Sequence, residues 1–206
     1  SSPRVRKSSR APYCERCNAR RGRSIYEYVM LIGMFDSGVG GLTVLAACKR
    51  LMPSARYLYL DDGAHAPYGD RSVREVTDLS VANVRLLADA GCDAIVIACN
   101  TATAAAASVL RRMFSLPIFG LEPAVKPALA AVSGNVLLLA TPVTARLRRY
   151  SARVKVGVER TLACDIERAA GDPAALKALA ERTLAKYSDY DAIVTGCSHY
   201  AHLIPY

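Results

Sequence analysis

The sequence predicts an α/β protein built from two similar halves, each with a parallel sheet, and three observations carry that reading. The segment DAIVIACNT (93–101) recurs as DAIVTGCSH (191–199), opening on the same four residues and reaching a cysteine followed by polar groups. Each copy reads as a strand buried on both faces, the near-continuous Ala, Ile and Val run that helix-covered parallel sheets require. Along the chain such runs alternate with helix-period segments, the βαβ pattern that leads to parallel sheets. In open α/β sheets ligands bind outside the carboxyl ends of strands. Cys99 and Cys197 therefore stand at equivalent positions of two halves, suited to enclose a ligand between two thiols.

Taken in order, residues 1–29 lack an apolar period and are rich in Arg and Ser. They read as a disordered basic extension, with a composition shared by targeting peptides; a second reading makes Met30 the natural start. Residues 1–24 supply seven of the nine net positive charges, so polyanion binding belongs to this extension and not to a patch on the folded body. Cys14 and Cys17 have metal-finger spacing without a second pair, since the next cysteine is Cys48. Seven cysteines, several inside apolar segments, argue against a secreted disulfide framework and for a reducing cytoplasm. No apolar run approaches the roughly 18 residues of a membrane helix.

From Tyr28, YVMLIGMF reads as a buried strand leading into Asp36-Ser37 and a glycine turn, then an apolar-periodic helix over 42–51. Glycines between strand and helix let backbone amides face an anion, but neither GxGxxG nor GK[ST] is present. A strand over 56–60 precedes a loop, 61–71, holding His65, Pro67, Tyr68 and Gly69, of the kind that walls a pocket or merely turns the chain. Ser72 and Glu75 form a capping box for a helix that Gly91 stops. After the strand to Cys99 come an Ala-rich helix ending near Met113, a strand over 117–120, a helix over 123–132 and a strand over 135–140. The second half continues with a helix over 142–150, a strand over 153–158, an irregular stretch over 159–171 and a helix opened by Asp172-Pro173. The strand to Cys197 follows, and the sequence stops seven residues after His199, where a last helix is expected. The domains thus read as 30–122 and 123–206, the second short at its end.

A thiolate is the reactive form of cysteine, and a helix N-terminus lowers its pKa. Both cysteines precede expected helix starts. His199, two residues beyond Cys197 and on the same side of what reads as an extended segment, is placed to hold its proton, and Asp36 does the same for Cys99 if their strands are neighbours. Two opposed thiols suit removal of a proton from carbon on one face and its return on the other, which is inversion at an amino-acid α-carbon.

FDSGVGGLTVL (35–45), APYGDRS (66–72), ACNTA (98–102) and GCSHY (196–200) together resemble the glutamate racemases of the cofactor-independent aspartate/glutamate racemase superfamily. The resemblance runs from about residue 31 to the end. It implies two α/β domains related by approximate two-fold symmetry, with glutamate between them and with neither metal nor other cofactor. It implies that Cys99 and Cys197 are the catalytic acid/bases, deprotonating the D and L enantiomer respectively, assisted by Asp36 and His199. Asp36, Ser37, Tyr68, Gly69, Asn100, Thr101, Ser198 and His199 fall on its substrate-contacting positions. Ser198 stands where the family has Thr, and the family's pocket Glu has its nearest counterpart in Glu167, within a shortened 164–172 segment. The expectation is a cytoplasmic, homodimeric enzyme supplying D-glutamate for peptidoglycan. Aspartate as substrate, or amino-acid binding without turnover, are the alternatives.

Overall fold

The computed structural model describes residues 29–147, 150–187 and 189–206. The basic extension up to residue 28, with Cys14 and Cys17, lies outside the described residues.

Two parallel sheets organise the chain. The first contains β1 (Leu31–Asp36), β2 (Arg56–Asp61), β3 (Ala94–Ile97) and β4 (Ile118–Gly120), in the order β2-β1-β3-β4. The second contains β5 (Val136–Ala140), β6 (Val154–Val158) and β7 (Ala192–Gly196), in the order β6-β5-β7. All pairings are parallel. In both sheets the earliest strand is central, and chain order reverses beside it, between β1 and β3 and between β5 and β7. At such switch points the crossovers leave in opposite directions and open a crevice at the strands' carboxyl ends. Asp36 and Cys99 stand at the first of these, Thr141 and Cys197 at the second.

The central strands are the most apolar. Every residue of β5 is buried, as are five of the six in β1, whereas the edge strand β2 alternates. Because side chains alternate across a strand, Leu137 and Leu139 enter a cluster with Leu162, Ile166 and Leu179, while Val136, Leu138 and Ala140 pack with Val154 and Val194 on the other face. The first sheet has a separate core of Phe35, Val84, Leu87, Ile95, Ile97 and Leu110.

Helix α1 (Leu42–Leu51) has the expected bounds, but none of its residues is fully buried. Helix α2 (Val73–Asp89) is opened by the expected capping box, Glu75 N donating to Ser72 Oγ at 3.1 Å and Ser72 N to Glu75 Oε2 at 2.9 Å. It stops at Gly91, whose φ of 84° falls where glycine has no steric penalty. Helices α3 (Asn100–Met113), α4 (Val125–Ala131) and α5 (Pro142–Leu147) follow their strands.

Three expectations are corrected. The first strand begins at Leu31, with Val29 and Met30 outside it, and Tyr28 lies outside the described residues. The stretch over 159–171 is not irregular: it holds α6 (Leu162–Arg168), whose Leu162 and Ile166, one turn apart, are buried against β5. The segment after Cys197 is not extended: Ser198 is already helical, and His199–Leu203 forms a 3₁₀ helix. Helix α7 (Pro173–Leu184) starts as expected, Asp172 accepting from Ala174 N and Ala175 N at 3.0 Å each.

Candidate active site

Asp36 ends β1 and is fully buried. The chain turns sharply after it through a 3₁₀ turn at Val39–Gly41, so that backbone amides point back at the carboxylate. Ser37 N donates to Oδ1 at 2.9 Å and Gly41 N to Oδ2 at 2.5 Å. Ser198 Oγ, from the other half, donates to Oδ2 at 3.0 Å. Burial raises the Asp36 pKa, opposed by the positive charge His199 can carry and by these three donors.

Cys99 is the N-cap residue of α3, and β1 and β3 are neighbours, as the Asp36–Cys99 partnership requires. Its Sγ accepts from Ala102 N at 3.4 Å and lies 3.5 Å from Ser37 Oγ, leaving it 4% exposed. Cys197, 9% exposed, follows β7, with Sγ 3.7 Å from His199 Nδ1. The other ring nitrogen of His199, Nε2, lies 2.7 Å from Glu167 Oε1. A carboxylate on the far side of the imidazole fixes the orientation of the ring. Cys197, His199 and Glu167 thus form a chain of hydrogen-bond contacts on the second thiol. Asp36 and Ser37 stand beside the first.

The expected lowering of the thiol pKa values is not found. Burial pushes Cys99 up to about 12, with the charge of Asp36 adding to it, and the Ala102 amide at the helix start offsets only part. Burial likewise raises Cys197 well above the usual thiol range, and Cys99 contributes to the rise, so a charge on one thiol opposes a charge on the other.

The remaining predicted residues divide. Thr101 reaches the second half, its Oγ1 2.9 Å from Thr141 Oγ1 and 3.4 Å from Thr144 Oγ1, while Thr141 donates to Thr144 at 3.1 Å. Asn100 instead spends its amide on Leu121 O at 3.3 Å. Tyr68 is buried with its phenol turned into the first half, donating to Asp62, while Asn83 Nδ2 donates to both oxygens at 3.1 Å. Its neighbour Gly69 meets the junction: a Cβ on Gly69 would lie 2.9 Å from Thr141 Cβ.

Sequence reasoning missed Thr141 and Thr144 and undervalued Glu167. The signal for the threonines was available, since TPVT (141–144) follows the central strand of the second sheet as Asp36-Ser37 follows that of the first. Among the described residues no group of three or more His, Cys, Asp or Glu is arranged to hold a metal ion, and no helix is long and apolar enough to cross a membrane. An apolar groove of about 600 Å³ lies elsewhere, lined by residues including Pro127, Leu184, Ile193, Leu203 and Ile204, and touches none of the predicted site residues.

The family model for Asp/Glu/Hydantoin racemase matches residues 43–205. The glutamate racemase of Deinococcus radiodurans is 42% identical over 186 residues, covering 84% of this chain and 64% of that protein. The glutamate racemase of Ralstonia pickettii is 40% identical over 185 residues, covering 84% and 65%. The chain therefore spans just under two thirds of the length of these relatives. Among solved structures, Escherichia coli glutamate racemase in complex with L-glutamate and the activator UDP-MurNAc-ala superimposes with a TM-score of 0.75 at 30% identity, over 86% of this chain and 73% of that one. Thermus thermophilus glutamate racemase in complex with beta-chloro-D-alanine gives 0.68 at 37% identity, over 85% and 70%.

Proposed function

This chain belongs to the Asp/Glu/hydantoin racemase family, and on that premise we propose that it interconverts L- and D-glutamate by proton transfer between two thiols. The observation that carries the reading is the pairing of two buried cysteines at the switch points of two parallel sheets, Cys99 beside the Ser37 hydroxyl and Cys197 beside the His199 ring. For L-glutamate, Cys197 as thiolate takes the α-proton, and the thiol of Cys99 delivers its own proton to the opposite face. For D-glutamate the roles exchange. One proton leaves carbon and one returns, so the thiolate changes sides at every turnover.

The α-proton of an amino acid is far less acidic than a thiol, and the barrier must fall by at least ~8 kcal/mol. Fixed donors where carbanion charge develops, in a site closed to water, act most strongly there. The Thr101, Thr141 and Thr144 hydroxyls supply such donors for the substrate's carboxylates. The Asp36 and Glu167 carboxylates suit its ammonium group. No step calls for a metal or an organic cofactor.

We read the two halves as domains bounded at 30–122 and 123–206, the enzyme as cytoplasmic, its product as D-glutamate for peptidoglycan, and the apolar groove as a surface favouring a homodimer. The activity is tested by incubating the protein with L-glutamate, D-glutamate and L-aspartate and following optical rotation. Loss of rotation with both glutamates and not with aspartate is expected. Loss with aspartate alone reassigns the substrate, and no change with any of the three in folded protein refutes turnover.

A further inference from the structure

We infer that Tyr59 is a positioning residue whose hydroxyl holds the Gly38–Gly41 turn against the Glu167–His199 pair, a role that rests on the racemase reading.

Tyr59 lies on the edge strand β2, paired with Met34 of β1, and its side chain is half-buried. Its hydroxyl donates to Gly38 O at 2.8 Å. Gly38 is extended, a conformation open to any residue, so glycine is required there for space and not for backbone freedom. A Cβ on Gly38 would come within 2.6 Å of Glu167 Oε1 and 3.1 Å of His199 Nε2. The residue that Tyr59 grips is therefore pressed onto the pair that holds Cys197's proton partner. At the other end of the turn, a Cβ on Gly41 would lie 2.7 Å from the Tyr59 hydroxyl and 2.8 Å from Asp36 Cβ, and Gly41 N is the donor to Asp36 Oδ2. One phenol thus spans the turn that serves Asp36 in its own half and Glu167 and His199 in the other. Burial and the charges of Asp36, Asp61 and Cys99 keep this phenol protonated, and so a donor.

A merely structural hydroxyl on the same strand provides the control. Tyr57, two residues earlier, donates to Cys48 O at 2.9 Å and Met52 O at 3.1 Å, at the far end of α1 from the turn. The experiment compares Tyr59→Phe with Tyr57→Phe in the full chain, each losing one hydroxyl that donates to backbone carbonyl oxygen. Two readouts are taken: kcat and KM in both directions, and the imidazole resonances by NMR, simple to assign in a chain with three histidines through the loss of one set in His199→Gln. Tyr59→Phe is expected to lower kcat at least ~10-fold with KM within ~2-fold, as misplacement of a catalytic group does, and to displace the His199 ring signals. Tyr57→Phe is expected to match the unmodified protein in both. A kcat for Tyr59→Phe equal to that of Tyr57→Phe, or an unmoved His199 ring, overturns the inference. The ring signals are read without substrate, so they decide it even if no amino acid is turned over and the racemase reading itself fails.

Discussion

Desolvation governs the resting protonation of both thiols. A helix N-terminus contributes ~0.3–1 kcal/mol in ordinary settings, less than the ~1.4 kcal/mol of a single pH unit, so the amides at the start of α3 cannot offset the burial that takes Cys99 to about 12. That is why spacing revealed which residues stand at the site while their titration stayed out of reach: Cys99, Asp36 and His199 were legible from strand ends, but burial depends on the opposing half. The folded state keeps a proton on Cys99 that the unfolded chain releases above its ordinary pKa of 9.0. This contribution to stability is complete below pH 9.0 and fades as pH rises toward 12. Thermal melts between about pH 9 and about 11 should accordingly fall more steeply for the unmodified protein than for Cys99→Ser; parallel slopes would contradict the shift. On the other thiol, Glu167→Gln keeps the shape of the side chain and removes the charge facing His199 Nε2. It should lower kcat ~10-fold or more in both directions, measured as initial rates from each enantiomer.

Local elements differ in how plainly the sequence announces them. Helices α2 and α7 carry side-chain caps, Ser72 with Glu75 and Asp172 before Pro173, and both were read correctly. Helix α6 has neither signal, as Thr161 makes no side-chain cap bond and the helix is seven residues long. Such a helix is marginal alone and owes its stability to tertiary burial, here of Leu162 and Ile166, and with it went the placement of Glu167. The glycine turn after β1 was legible as an anion-facing element, but not its fit to the other half. A Cβ on Gly40 would lie 2.7 Å from the backbone N of His199 and from Ser198 Oγ, and no rotamer change relieves a clash with backbone. Gly40→Ala should therefore cut kcat by ~100-fold or more and lower the melting temperature, since overpacking a buried contact costs about 1–3 kcal/mol, while circular dichroism keeps the α/β signature of the unmodified protein. By contrast, Ser72→Ala should cost about 1 kcal/mol of stability in denaturant titration without changing turnover.

At the scale of the molecule, the two halves are closed upon one another. Asp36, Cys99, Cys197 and His199 are all buried, and Thr101–Thr141 and Ser198–Asp36 bonds cross the junction. Substrate reaches such a site only if the halves part, so we predict a hinge motion coupled to turnover. On the rim, Arg160 Nη1 meets Asp70 Oδ1 at 3.2 Å across the same junction, with side chains 68% and 47% exposed. A pair so exposed adds at most ~1 kcal/mol and is screened by salt. Arg160→Ala should leave the melting temperature nearly unchanged but raise KM by up to ~5-fold at low ionic strength, a difference that disappears near ~1 M salt. A KM insensitive to both charge and salt would show that the rim pair has no part in closure. Two parallel halves were visible in the repeated strand alone; how tightly they meet was not, because Thr141, Gly40 and Arg160 acquire their roles only through contacts between halves.

The most direct test of the two-thiol account is α-proton exchange in deuterated water, with L-glutamate and D-glutamate supplied separately and both enantiomers followed by NMR and chiral chromatography. The account predicts that deuterium enters the α-carbon together with inversion, from either enantiomer, and that Cys99→Ala and Cys197→Ala each abolish inversion while melting as folded proteins. Inversion surviving the loss of either thiol, or folded unmodified protein that exchanges neither enantiomer, would contradict it.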